Sequence, residues 1–465
     1  MSYAPGGPPR GGGAGASVRL ERWLRQLGRA GEVAFILGLY AAGWLAGLLW
    51  LALTGASEGR RHQWTGAWLL RLFRRLGATY IKLGQILSTR PDLLPPHLIG
   101  ALERLQDDVG PFAFAHVERV VQQDFGLPVD LLFPDFQRAP VASASVAQVH
   151  RATLPDGRAV AVKVRRPHVV ELCDLDLALL RLGARLLSPL PWLRNLSPVE
   201  SVDELGRAIR LQLDFRVEAA NGQRFAELFR RRPDVVFPAV VESLSSERVL
   251  TMLFIEGDKL PSAERGAAGG RALDHAQAVR LARIGLRTMV QMIFEDGFVH
   301  ADLHPGNLLV TPDGRLALLD VGLVAELSVE GRELFTRYFA AWVAGDGRTM
   351  AQVLLEQSLR VRTARGYVEP LPPLEAQAAF VAEVELFVAR YTGLRVGEVQ
   401  LGAVLFDLLQ LVRRHRLRLD PAFTVVNIAV AVTEGIAKQL APELDLLTEV
   451  APFFAEHGWT SASSP

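Results

Sequence analysis

The sequence predicts an α+β protein in which a β-rich block stands between helical blocks, preceded by a helical extension and a single membrane-spanning helix. Three observations carry this. Residues 33–57 contain no charged side chain. Residues 139–165 switch to short apolar runs around a Pro155-Asp156-Gly157 turn, the pattern of a β-hairpin. Residues 298–325 form a second compact stretch, a loop and two short strands with a Pro312-Asp313-Gly314 turn, inside sequence that is otherwise helical after Ala272.

Composition narrows the class. A chain of 465 residues sets an expectation of two or three domains. Lys plus Arg is 51 and Asp plus Glu is 50, a net charge of +1, which excludes a basic nucleic-acid coat, so no nucleic-acid partner is expected. With 49% apolar and 22% charged residues the chain is not globally disordered. Cys173 is the single cysteine, which excludes a disulfide framework and a thiolate zinc cluster. Only four of the 51 basic residues are lysines: Lys82, Lys163, Lys259 and Lys438. A lysine kept against such a bias is a candidate for work that needs a compact point charge on a flexible stem.

Taken in order, residues 1–32 read as a leader, disordered over the Gly/Pro-rich start and then basic. Residues 33–54 read as a membrane helix, because about 20 apolar residues cross a bilayer core. A core helix would show a polar stripe and a signal peptide a shorter apolar run. Gly43 and Gly47 have the spacing that lets helices approach closely. Arginines flank both sides, so charge does not give the orientation. Residues 61–130 read as a helical extension broken by Pro91, Pro95, Pro96 and Pro111. The β-rich block occupies 131–256, with helical periodicity at 169–187 and 199–230 and a β pair at 235–254; a helical block at 257–456 and a polar tail at 457–465 follow. The last apolar stretch, near 425–440, is interrupted by Glu434 and Lys438 and is not read as a second span.

The chemistry concentrates at 300–322. His300, Asp302 and Asn307 are spaced H-x-D-x-x-x-x-N, and Asp320-Val321-Gly322 follows beyond a strand-turn-strand. Phosphoryl transfer needs a carboxylate to orient an acceptor hydroxyl or water, and oxygen ligands for magnesium. This set supplies both. Upstream, Lys163 ends the strand-like run AVAVK, where a protein kinase places the lysine that meets the nucleotide phosphates, and Glu218 in a helical stretch is its natural partner. The hairpin before Lys163 carries Ala142, Ser143, Ala144 and Ser145 where a kinase has a glycine-rich flap. Small side chains still let backbone N–H groups approach phosphate, but alanine reaches positive φ less freely than glycine, so a stiffer flap is expected.

These motifs resemble those of the UbiB/AarF family of atypical, protein-kinase-like ATPases associated with ubiquinone and isoprenoid-lipid metabolism. The residues that carry the resemblance are Tyr80 to Gln85 (the KxGQ motif), the Ala-rich flap, VAVKVRRP at 160–167, the acidic helix motif at 212–218 and HADLHPGN at 300–307. The resemblance implies a two-lobed, protein-kinase-like fold that uses ATP and Mg2+, with its N-lobe at 131–256 and its C-lobe at 257–456. It implies that Lys163 and the flap contact the nucleotide, that Glu218 holds Lys163, that Asp302 is the catalytic base and that Asn307 and Asp320 hold magnesium. Lys82 and Gln85, on one helical face by their i, i+3 spacing, would lie over the cleft and disfavour protein substrates. Prenyl-quinone or isoprenoid lipid, quinone-biosynthesis enzymes and the membrane are the implied partners, with the catalytic domain on the cytoplasmic side of an inner or cytoplasmic membrane.

Two departures bear on mechanism. The acidic motif, normally Glu-x-Asp, is Gln212-Leu213-Asp214, so Lys82 lacks one expected carboxylate, and the metal motif has Val321 where kinases have phenylalanine. The rival readings are a non-catalytic, nucleotide-dependent scaffold for lipid enzymes, which loss of Asp302, Asn307 or Asp320 would signal, and a conventional protein kinase, which the flap and the KxGQ helix disfavour.

Overall fold

The computed structural model describes residues 14–88, 94–102, 104–105, 110–189, 198–260, 273–360, 372–392, 401–415, 417, 419–444 and 449. The start of the expected leader and the tail at 457–465 lie outside them.

The chain begins with α1 (Ala14–Leu53), α2 (Glu58–Leu76), α3 (Ala78–Ser88) and α4 (Pro96–Leu102). α1 starts earlier than the membrane helix expected at 33–54, taking in residues 14–32 that read as leader. The cause is tertiary: Arg29 donates to Asp176 at 2.8 Å and to the Leu76 carbonyl at 2.6 Å, which ties the basic stretch to the body. Gly77, at φ 100°, makes the sharp α2–α3 corner that a side chain would resist. α2 lies between α1 and α4, and Gly66 lets it approach Ala101 and the His97 carbonyl.

α5 (Phe114–Phe125), α6 (Val129–Leu132), β1 (Asp135–Phe136), β2 (Ala142–Ser143), β3 (Ala147–Thr153) and β4 (Ala159–Arg165) lead into α7 (Val169–Leu187), α8 (Pro198–Leu213) and α9 (Phe215–Leu228). β5 (Val235–Val236) and β6 (Val249–Leu253) follow. The first lobe is an antiparallel sheet in the order β1-β3-β4-β6, with β2 also paired to β3. Alternation along β4 sets its two faces. Val160, Val162 and Val164 are fully buried against Val117, Val121 and Phe133. Lys163 therefore points the other way, toward α9.

The second lobe holds β7 (Asp258–Lys259), α10 (His275–Val290), β8 (Phe298–His300), β9 (Leu308–Val310), β10 (Leu316–Leu318), β11 (Val324–Glu326) and helices α11 (Val329–Val343), α12 (Gly347–Arg360), α13 (Leu374–Thr392), α14 (Leu401–Arg414) and α15 (Pro421–Leu440). An Asp274–Gln277 capping box starts α10. The runs at 235–254 meet each other through an antiparallel bridge between Val240 and Met252, with the Val241 N–H on the Thr251 carbonyl and the Leu253 N–H on the Ala239 carbonyl, both at 2.8 Å. Their main pairings lie elsewhere: β5 pairs in parallel with β10, and β6 joins β4. The stretch at 298–325 forms four strands rather than two, in two separate ribbons. Strand pairing is a tertiary choice that propensity does not make. α15 is apolar enough to cross a membrane by length, yet it packs on α10 and α14 with Phe423 and Val426 buried, and Lys438 pairs with Glu434 at 2.8 Å.

Candidate active site

Three elements bring the charged residues together. β4 supplies Lys163, α9 supplies Glu218, and the turn after β10 supplies Asp320. The Lys163 ammonium donates to both Glu218 oxygens, at 2.8 and 2.9 Å, and to Asp320 Oδ2 at 3.1 Å, with the Phe215 ring centroid 5.3 Å away. Lys163 and Glu218 are buried, while Asp320 stays partly open to solvent. Burial pulls the lysine pKa down, but Asp320 and Glu218 outweigh it and hold the ammonium above the ordinary lysine range. Glu218 is pushed up to about 7 by burial and by the neighbouring Asp320, against the pull of Lys163. Desolvation opposes ionisation of Asp320, yet Lys163, Lys82 and the Gly322 N–H hold its carboxyl well below the usual carboxylate range. One lysine thus serves two carboxylates.

The loop after β8 is built by its own side chains. His300 is fully buried; burial lowers its pKa, and its Nδ1 accepts the Asp302 N–H at 3.2 Å. A neutral imidazole therefore shapes the backbone at Asp302. Asn307 Nδ2 donates to the Asp302 carbonyl at 3.2 Å, which leaves the amide oxygen of Asn307 as an acceptor. The Asn307 carbonyl accepts the Leu319 N–H at 3.0 Å, linking this loop to Asp320, whose Oδ1 accepts the Gly322 N–H at 3.0 Å. Val321 is buried in the core of the second lobe, so the smaller side chain still fills its place.

The structure adds two residues that the sequence reading passed over. Asn221, one helical turn beyond Glu218, donates to the Val321 carbonyl at 3.0 Å and ties α9 to the Asp320 turn. Its i, i+3 spacing from Glu218 was the available signal. Arg166, just beyond β4, donates to the carbonyls of Ala144 and Gly110 at 3.0 Å, with the Ser143 hydroxyl at 3.4 Å. It pins the flap. The flap itself is a tight hairpin: Ala142 and Ser143 pair with β3, the Ala144 N–H reaches the Ala147 carbonyl at 2.7 Å, and Ser145 is fully buried. His168 is the one non-glycine residue at positive φ among the described residues, so this flap is built without the left-handed geometry that glycine would allow.

The four positions expected to regulate the cleft separate into two groups. α3 brings Lys82 near the cluster, where its charge acts on both Asp320 and Glu218. Gln85 donates to the Leu105 carbonyl at 3.2 Å and holds α3 on the segment after α4. Asp214 does not serve Lys82 as expected. It caps α9 through the Arg216 N–H at 3.1 Å and binds the Arg216 guanidinium at 2.7 Å, because a helix N-terminus and a neighbouring arginine compete for it. The Oε1 of Gln212 is buried with no hydrogen-bond partner among the described residues. Two of the four lysines, Lys82 and Lys163, thus act at one cluster.

The profile of the ABC1 atypical kinase-like domain matches residues 104–354, more than half of the chain, and that of the UbiB helical domain matches residues 384–445. The chain belongs to the UbiB/AarF family of ABC1 atypical kinase-like proteins. The kinase-like profile spans the flap, Lys163, Glu218, Asp302, Asn307 and Asp320; Lys82 and Gln85 lie ahead of it. A solved structure described as the complex of Rv3197 with erythromycin from Mycobacterium tuberculosis is similar at 23% identity, over 79% of this chain and 90% of that one, with a TM-score of 0.50. That likeness concerns the fold.

Proposed function

We propose that this UbiB-type atypical kinase-like protein binds Mg-ATP in the cleft between its lobes and hydrolyses it or transfers its γ-phosphoryl group, in support of prenyl-quinone or related isoprenoid-lipid synthesis at a membrane. The observation that carries this reading is the Lys163–Glu218–Asp320 cluster linked by hydrogen bonds to the Asp302–Asn307 loop. Each part has a task in phosphoryl transfer, which is mostly positioning and charge stabilisation.

The donor set fits the cofactors. Asp320 is partly open, and the amide oxygen of Asn307 is left by its own hydrogen bond to accept a cation; both are hard oxygen donors. Among the described residues no cluster of three His, Cys, Asp or Glu side chains would cage a metal. Magnesium suits such a site because it takes one or two protein ligands and completes its shell with phosphate and water. When bound, the ion would neutralise charge on the phosphates. Lys163, oriented by Glu218, would contact those phosphates, the Ala142–Ser145 flap would cover them, and Asp302 would orient the acceptor hydroxyl or water. Lys82, on α3, would modulate entry to the same site.

The test is ATP hydrolysis by the full chain in lipid vesicles, with and without magnesium and a prenyl-quinone. Magnesium-dependent turnover that rises with the lipid supports the reading. Magnesium-dependent nucleotide binding without turnover would favour the scaffold alternative, and absence of binding would end both.

A further inference from the structure

α1 satisfies the length and apolarity of a membrane span: within Leu27–Leu53, an 18-residue window reaches a mean hydropathy of 1.9. Its packing, however, distinguishes two faces. Val33, Ile36 and Leu51 are buried, and Tyr40, Gly43, Trp44 and Gly47 are half-buried, a stripe at helical spacing that runs nearly the whole length of the apolar stretch. Along that stripe the helix is fastened to the body at its start and at its middle. Arg29 and Asp176 form a buried ion pair at 2.8 Å, the Trp68 indole donates to the Tyr40 carbonyl at 2.7 Å, and the Trp44 indole donates to the Thr65 hydroxyl at 3.2 Å. The opposite stripe, Phe35, Leu39, Ala42, Ala46, Leu49 and Leu53, is exposed.

We propose that α1 seats side-on in one leaflet of a bilayer, its exposed stripe in the acyl region and its other face kept on the protein. This rests on the membrane reading above and specifies its geometry. α2 is the first reason. It runs beside the second half of α1, carries exposed Arg61 and Arg71 level with Trp64 and Trp68, and would have to enter the hydrocarbon if α1 crossed without unpacking. Charged side chains at that depth are costly. Side-on, the same arginines, with Arg60 and Arg75, stay at the headgroup level and suit anionic lipid. The small-residue seam is the second reason. Gly43 and Gly47 are filled by the Trp68 and Trp64 rings, which would collide with any added Cβ, so the surface that would admit a second copy of the helix is already used. What remains outward is a broad apolar face centred on this stripe and widened by Leu37, Leu45 and Trp50.

The experiment uses the full chain in vesicles of phosphatidylethanolamine and phosphatidylglycerol. Spin labels go at Phe35→Cys, Leu39→Cys, Ala46→Cys and Leu53→Cys, with Cys173 left in place because it is buried. Side-on seating gives all four labels the same depth in the acyl region, although Phe35 and Leu53 stand about 27 Å apart along the axis. A profile with Ala46 deepest and the two ends near opposite headgroup layers would overturn the inference and leave membrane attachment standing. Labels that never meet lipid would overturn both, and dipolar broadening between chains would assign the face to a second copy. As a second arm, Leu39→Glu with Leu49→Glu, both exposed sites, lowers vesicle flotation at least tenfold; unchanged flotation would count against the stripe.

Discussion

Two cations in this molecule, the half-buried Arg29 and the buried Lys163, are held by carboxylates in opposite ways. Arg29 meets a fully buried Asp176 through two hydrogen bonds, at 2.8 and 3.1 Å, and donates also to the Leu76 carbonyl and to Glu32. Every partner is protein, and no oxygen of Asp176 faces solvent. Lys163 has a single ammonium for Glu218 and Asp320, and Asp320 remains partly open with Lys82 nearby. The first arrangement is saturated at the carboxylate and fixes α1 to α7. The second leaves charge unbalanced and an oxygen accessible, so an arriving cation or phosphate can redistribute it. Burial alone does not separate a structural pair from a working one; saturation does.

The comparison breaks most directly at the loop. Asp302→Asn is expected to spare nucleotide binding and lower turnover by about 10²–10⁴-fold, the usual weight of a positioned acid or base. Asp320→Asn is expected to remove magnesium-dependent binding itself. Nucleotide binding by calorimetry and turnover by phosphate release separate the two. If both variants bound Mg-ATP and turned over normally, the Lys163 cluster would be one more structural pair.

The structural pair has its own test. Asp176→Ala leaves Arg29 with only the exposed Glu32 as counter-charge and is expected to cost about 3 kcal/mol in urea unfolding, the low end for a broken buried pair. A loss below about 1 kcal/mol, the level of an exposed pair, would mean that α1 is not anchored there. Arg166→Ala frees the flap and is expected to weaken Mg-ATP binding about tenfold, or about 1.4 kcal/mol, with folding little changed. An unaltered dissociation constant would show that the pinned flap takes no part in binding.

A smaller effect is expected at Gln212. It lies on α8, which packs on the KxGQ helix α3, and its buried Oε1 has no partner among the described residues. Gln212→Glu restores the family carboxylate and is expected to lower basal ATP turnover a few-fold by drawing Lys82 toward it; unchanged turnover retires the lock. No effect at all is expected from thiol reagents. Burial first, with Asp174 and Asp176 adding to it, pushes the Cys173 thiol up to about 12. Its folded pKa lies above the ordinary 9.0, so the contribution of the protonated thiol to stability is fully present below about pH 9 and is lost progressively as pH rises from there through about 12. Native protein at pH 8 should therefore resist iodoacetamide and label only on unfolding; rapid native labelling would contradict the packing of α7.

Much of the site was legible in the sequence because its spacing is local. His300, Asp302 and Asn307 sit on one loop whose hydrogen bonds span two to five residues. Lys163 was legible because strand alternation puts it opposite the buried Val162 and Val164. Asp214 was misread because its partner, Arg216, is ordinary in sequence, and the competition between a helix cap and Lys82 is settled in space. The regulatory group therefore divided in a way that no spacing announces.

What the sequence determined by itself were the elements and the chemistry: helices where apolar residues recur every three or four positions, strands where they alternate, and acid, amide and lysine in a fixed order. Only the tertiary structure decided which strands pair, which carboxylate each cation serves, and which face of α1 stays bare. Those outcomes depend on contacts between residues far apart in the chain. Lys163 and Asp320 are 157 positions apart and Arg29 and Asp176 are 147, and at such separations packing and desolvation choose the partners.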